Sequence, residues 1–226
     1  MLMKSLLVIG DVHGLKLWKP IVEAHLDCKV VFLGDYLDPY EYLPREKTLA
    51  NLRQIIDFKK NNRNVVMLLG NHDIHYLYPN APAASRFDPD IFEDAHRLLA
   101  ENRHLFQFAF QIDDTIFTHA GISQEWFEKD FCGNISHNIS EQLNNPNSGQ
   151  MESIFRVGYV RGGKEGDKGG IFWADRAELK DVISGFRQIV GHNRVDDITV
   201  VRQDEKTVII FCDCLRNDKY LILDNS

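Results

Sequence analysis

Three short apolar runs, at residues 6–9, 30–33 and 65–69, each stop at a glycine, and helical patterns follow at 17–25, 49–58 and 91–100. Runs of Val, Ile and Leu without polar alternation suit parallel strands buried on both faces, and their alternation with helices marks βαβ units. The fold class expected is therefore α/β. Ligands of such sheets gather beyond the carboxyl ends of the strands. Gly10, Gly34 and Gly70 stand at those ends.

The second half reads differently. Strand runs at 106–112, 115–119, 188–190, 198–202, 208–212 and 220–223, with Asp113 and Asp114 in a hairpin turn, indicate a second, largely antiparallel sheet. Two sheets packed face to face with outer helices account for the pattern. Between the runs, residues 132–170 are polar and rich in Asn, Ser and Gly, "NNPNSG" and "RGGKEGDKGG" being the clearest loops. This stretch is read as an irregular insertion, either a solvated excursion or a cap facing a substrate. No internal repeat or linker divides the chain, so residues 1–226 are read as one domain, and 44% hydrophobic residues suffice for its core.

A net charge of −7 argues against a non-specific nucleic-acid or anionic-membrane binder. The apolar run at 1–9 lacks the longer core and cleavage site of a secretory signal, and no stretch approaches the roughly 20 apolar residues of a membrane span. The expectation is a soluble, cytoplasmic protein. Cys28, Cys132, Cys212 and Cys214 show no repeated CxxC spacing and are read as small reduced core residues, with Cys212 and Cys214 on one strand face.

Five motifs carry the chemistry: GDVHG at 10–14, GDYLD at 34–38, GNHD at 70–73, HAG at 119–121 and GHN at 191–193. Asp11 and His13, one residue apart in extended backbone, project to the same side and suit one metal ion. Asp35 can bridge that ion to a second, since a carboxylate offers two oxygens. Asn71 supplies a neutral carbonyl oxygen, and His119 and His192 complete the second ion's shell through neutral imidazole nitrogens. Each residue alone is an ordinary turn, cap or core residue. Six such ligands after five strand runs, in the same relation, are not what turn chemistry produces. Mixed N and O ligands suit two divalent ions from among Mn, Fe, Zn, Co and Ni.

In this order the motifs resemble those of the calcineurin-like metallophosphoesterases, and within them the phosphoprotein-phosphatase branch, from Asp11 to His192. The resemblance implies a four-layer α/β/β/α sandwich of two mixed sheets with outer helices. It implies Asp11, His13 and Asp35 as ligands of a first ion, and Asp35, Asn71, His119 and His192 as ligands of a second. It also implies in-line attack on phosphorus by a metal-bridging hydroxide, with His72 protonating the leaving oxygen and Asp38 orienting it. An Asp–His pair is expected to raise the imidazole pKa toward working pH.

Three features depart from the branch or point elsewhere within it. Its protein phosphatases follow the second aspartate of GDxxD with a phosphate-clamping Arg and then Gly, whereas Asp38 is followed by Pro39 and Tyr40. Arg176, in "FWADR", is similar to the family's Trp-anchored, phosphate-binding arginine; Arg161 and Arg156 are weaker candidates. Position 194 is Arg where other metallophosphoesterases place the last His of GHxH, an absence shared with this branch. "GNHDIH" through His75 and "HAGI" through Ile122 resemble the symmetrical diadenosine tetraphosphate hydrolases. The expected activity is hydrolysis of phosphate monoesters, serine/threonine phosphoproteins included, with nucleotide polyphosphate hydrolysis as the alternative. Pro39 and the insertion motivate a third reading, a non-catalytic metal-binding scaffold. Expected partners are a phosphorylated small molecule, nucleotide or phosphoprotein, with no membrane and no stable nucleic acid.

Overall fold

The computed structural model describes residues 5–224. Residues 1–4 of the N-terminal apolar run lie outside them. The chain gathers into two compact units, one of Met1–Gln107 with Cys214–Ser226 and one of Phe108–Asp213.

The first unit holds a five-stranded sheet of β1 (Ser5–Ile9), β2 (Lys29–Phe32), β3 (Val65–Leu68), β4 (Phe106–Gln107) and β10 (Leu221–Asp224), in the order β10-β1-β2-β3-β4. β1 to β4 run parallel, and β10 lies antiparallel to β1. The parallel strands are nearly wholly buried, as their unbroken apolar runs require. Four helices belong to this unit: α1 (Trp18–Ala24), α2 (Arg45–Asn61), α3 (Asn71–Leu77) and α4 (Phe92–Glu101). Leu49, Leu52, Ile55 and Ile56 form the buried stripe of α2, at the three-to-four-residue spacing of a one-sided helix. The short α3 opens on the GNHD motif itself and is buried along its whole length.

The second unit holds β5 (Ala109–Ile112), β6 (Thr115–Thr118), β7 (Arg187–Arg194), β8 (Thr199–Arg202) and β9 (Val208–Asp213), in the order β5-β6-β7-β9-β8. This sheet is mixed rather than largely antiparallel: β6–β7 and β7–β9 are parallel, while β5–β6 and β8–β9 are antiparallel. The β5–β6 hairpin turns at Asp113, which adopts φ 49°.

The run at 106–112 is two strands, one in each sheet. Its break at Phe108 is fixed by Asn144, whose Oδ1 accepts from the Phe108 and Ala109 amides at 2.8 and 3.2 Å and whose Nδ2 donates to the Ala109 carbonyl. The run at 220–223 supplies β10, in the first sheet. Residues 132–170 are not irregular throughout, since they contain α5 (Ile139–Asn144) and α6 (Ser148–Ile154). Asn138 and Asn147 cap these helices by accepting from the Glu141 and Gln150 amides. Glu178 holds the glycine-rich part through the Val160 and Gly169 amides. Cys28, Cys212 and Cys214 are buried, and Cys132 is exposed instead of in the core.

Candidate active site

In the first unit the turns after β1 and β2 are tied backbone to backbone. The Val12 and His13 amides donate to the Asp35 carbonyl at 3.1 and 2.6 Å, and the Gly14 amide to the Tyr36 carbonyl at 3.0 Å. His13, Asp35 and Asp38 adopt left-handed backbone, with φ of 42°, 52° and 55°. Non-glycine residues rarely hold this conformation, and it concentrates where side chains must be aimed. The reading of Asp11-x-His13 as extended therefore needs correction: His13 is turned by its positive φ.

That turn brings donors together. His13 Nδ1 lies 2.9 Å from the Leu37 carbonyl, which can only accept, so the proton sits on Nδ1 and the Nε2 lone pair is available for a metal. His13 Nε2 is 3.5 Å from Asp35 Oδ2 and 4.0 Å from Asp11 Oδ2. All three side chains are almost fully buried. Two carboxylates and one imidazole nitrogen aimed at a common point make the donor set of a hard-to-borderline divalent cation.

Asn71 is the first residue of α3. The next residue, His72, donates its amide to Asp35 Oδ1 at 2.9 Å. Its ring Nδ1 lies 2.8 Å from Asp38 Oδ2. The Tyr76 hydroxyl donates to Oδ1 at 2.6 Å, and His75 Nε2 lies against Oδ2 as a close polar contact at 3.0 Å. His75 Nδ1 accepts from the Ala84 amide, so its proton is on Nε2, facing Asp38. Burial pushes the Asp38 carboxyl up, but the His72, His75 and Tyr76 donors outweigh it and hold the group below the usual carboxylate range. For His72 the balance runs opposite to the sequence expectation. Burial lowers its pKa, with the Arg86 guanidinium and His75 adding to the fall, and this exceeds the pull of Asp38. In this state the His72 ring is neutral at pH 7, its Nδ1 proton shared with Asp38.

Asp73 was not singled out by sequence. Its carboxylate accepts from the Asp35 and Gly70 amides at 2.8 Å each and from the Tyr36 amide at 2.9 Å. It thereby locks the turn after β2 to the start of α3. Burial pushes its carboxyl up to about 7, against the three amides that favour its charge.

In the second unit His119 directly follows β6, and its carbonyl accepts the Gly191 amide at 2.8 Å. His192 lies where the β7–β9 register shifts, with φ 59°, and its ring centroid is 5.1 Å from that of His119. A bulge re-aims a side chain in this way. Both imidazoles are buried. Asn193 places the FWADR segment: Nδ2 donates to the Ala174 carbonyl, and Oδ1 accepts from the Arg176 amide and from Arg161. Arg176 itself is exposed, with its guanidinium over the Phe211 ring at 5.2 Å. Arg161 pairs with Asp175, and Arg156 with Asp130.

A residue missed by sequence reasoning completes the first unit's site. Arg86, in the loop between α3 and α4, brings Nη2 to 3.2 Å from His72 Nε2 and donates from Nε to the Asp38 carbonyl at 3.2 Å. It belongs to no motif and lies 48 positions from Asp38 in the chain, so no spacing rule could find it.

The sequence model of the calcineurin-like phosphoesterases matches residues 4–209. Among solved structures, the cold-active protein-tyrosine phosphatase of a psychrophile, Shewanella sp., is similar at 14% identity and a TM-score of 0.61, covering 99% of this chain and 76% of that one. A point mutant of a cold-active protein tyrosine phosphatase is similar at 16% identity and a TM-score of 0.62, with the same coverages. At these identities the likeness is one of fold. No curated protein is a significant sequence match.

Proposed function

Because the chain belongs to the calcineurin-like phosphoesterase family, metal-dependent hydrolases of phosphoric esters, we propose that it hydrolyses phosphate monoesters, phosphoproteins among the candidate substrates. The observation that carries this reading is the convergence of His13 Nε2 with the Asp11 and Asp35 carboxylates beside the 2.8 Å His72–Asp38 pair. Asp11, His13 and Asp35 would hold one divalent ion. Asp35, Asn71, His119 and His192 are assigned to the other on family grounds. When bound, such ions place positive charge on the phosphoryl oxygens and acidify a water molecule.

The chain's own contribution is to fix geometry and move one proton. Asp38 holds the His72 ring through Nδ1, so Nε2, bare in the neutral ring, is the atom that would take up the proton released by the attacking water and pass it to the leaving oxygen as the P–O bond breaks, with ionised Asp38 steadying the imidazolium in between. His75 and Tyr76 keep Asp38 ionised and unable to rotate. Arg176, presented by the Asn193-anchored segment, is our candidate for a substrate contact. Manganese is the ion to supply first. The reducing cytoplasm is the proposed setting, in keeping with the burial of Cys28, Cys212 and Cys214 as small core residues. We take residues 1–226 as one working domain, because one family model spans both units.

The test is turnover of an aryl phosphate with added manganese, in wild type and in Asp35→Asn and His72→Ala. The expected result is loss of about 100-fold or more in either variant. Wild-type activity surviving both substitutions sinks the assignment. Cleavage of dinucleoside polyphosphates without aryl monoester turnover would replace it with the polyphosphate reading, and metal binding without any hydrolysis with the scaffold.

A further inference from the structure

We propose that Arg86 is the phosphate-binding arginine of this site, replacing from another loop the one missing at Pro39, and that it makes the site selective for phosphomonoester dianions. The inference rests on the phosphoesterase reading above and names the substrate class of that same site.

Four observations support it. First, Arg86 is aimed at the reaction centre. Its Nη2 is 3.2 Å from His72 Nε2, the nitrogen that serves the leaving oxygen, and its Nε is anchored on the Asp38 carbonyl. Second, the guanidinium carbon sits 3.7 Å from the centroid of the Tyr40 ring. Tyr40 immediately follows Pro39, so the position where the branch carries arginine now precedes an aromatic platform on which an arginine from elsewhere is stacked. Third, among the described residues no carboxylate pairs with Arg86. Asp88, two residues on, is taken by Arg45 at 2.6 Å. An arginine without a carboxylate partner, in a chain of net charge −7, is a charge left available for an anion. Fourth, Arg86 lines a cavity of about 610 Å³ together with Asp38, Tyr40, Tyr42 and Leu43, leaving room for a leaving group beside the phosphate. Tyr42 stands 93% exposed at this cavity.

The chemistry follows from charge and shape. A phosphomonoester carries close to two negative charges at neutral pH and a diester one, and a guanidinium grips two phosphate oxygens with parallel N–H bonds. Arg86 holds φ 65°, so its side chain leaves the loop from a constrained backbone. Moving Nη2 from His72 Nε2 onto the phosphate keeps the Nε anchor and leaves Nε2 facing the leaving oxygen.

The experiment compares manganese-loaded wild type with Arg86→Ala and Arg86→Lys on 4-nitrophenyl phosphate and on bis(4-nitrophenyl) phosphate, and measures inorganic phosphate binding by calorimetry. Arg86→Ala is expected to lower kcat/KM for the monoester roughly 100-fold, the diester less than about 3-fold, and phosphate affinity about 10-fold or more, with Arg86→Lys recovering part of each loss. Equal losses on both esters with unchanged phosphate affinity would make Arg86 a positioning residue for His72 and overturn the proposal. Unchanged values in both variants would overturn it too. A wild type that cleaves neither ester defeats the phosphoesterase reading; phosphate affinity that still falls in Arg86→Ala then upholds the anion site, and affinity that does not fall removes it.

Discussion

Asp38 is the residue on which most of the acid apparatus depends. Both of its carboxylate oxygens are engaged, Oδ2 by His72 and His75 and Oδ1 by Tyr76, while its carbonyl receives Arg86. Tyr76 serves twice, because its hydroxyl also accepts the Asp88 amide at 2.9 Å. Tyr76→Phe should therefore cost about 1.5–3 kcal/mol of unfolding free energy at neutral pH, as expected for a hydrogen bond to a buried charge. The pH dependence has a definite sign. Asp38 is held below its unfolded pKa of about 3.9, so its stabilisation is fully present above that value and is lost as pH falls through the depressed folded one. Urea melts should show the gap between wild type and Tyr76→Phe narrowing toward acid. A gap that stays constant would assign the loss to the stranded Asp88 amide instead.

At the scale of elements, the site depends on how closely the turns after β2 and β3 approach. A Cβ on Gly34, which adopts φ 106°, would lie 2.5 Å from the Gly70 nitrogen, and a Cβ on Gly70 would strike Asp35 Oδ1. Backbone blocks both: the Gly70 nitrogen stands against the first, and the Asp35 amide nitrogen, 2.5 Å off, against the second, so turning the Asp35 carboxylate away does not clear the clash. Gly70→Ala is thus expected to displace Asp35, lowering stability by about 1–3 kcal/mol and weakening manganese binding; thermal melts with and without metal would show both. Melts matching wild type in each condition would refute the claim. The same packing explains what could be read from sequence. β1, β2 and β3 were legible because parallel strands buried on both faces leave unbroken apolar runs, and Gly34 and Gly70 because turns this close exclude side chains. The break at Phe108 was not, since an Asn144 amide from 36 residues away makes it. The insertion's helices were hidden because the asparagines that cap them read as loop residues. Arg86 was hidden because its relation to Asp38 and Tyr40 exists only once the loop after α3 has folded back.

For the whole molecule the governing quantity is charge. The chain is acidic overall, and its first unit buries Asp11, Asp35, Asp38 and Asp73. Asp38 is held ionised by its donors, and carboxylate oxygens of Asp11 and Asp35 come within 4.8 Å of each other. Buried like charges at that separation repel strongly, and a divalent cation is the compensation that the donor set around His13 suits. Metal binding should accordingly appear as folding stability. At manganese near 100 times its Kd, linkage supplies about 2.7 kcal/mol. For a chain of this length that is roughly 5–11 °C in Tm, at about 2–4 °C per kcal/mol. Stripping the protein with a chelator should remove the increment, and restoring manganese should return it. Sodium chloride at equal ionic strength separates this from plain screening of the acidic surface. Asp35→Asn removes one charge of the facing pair, so it should melt higher than stripped wild type yet gain little from manganese. If manganese raises Tm no further than the salt control, the His13, Asp11 and Asp35 cluster is not a metal site.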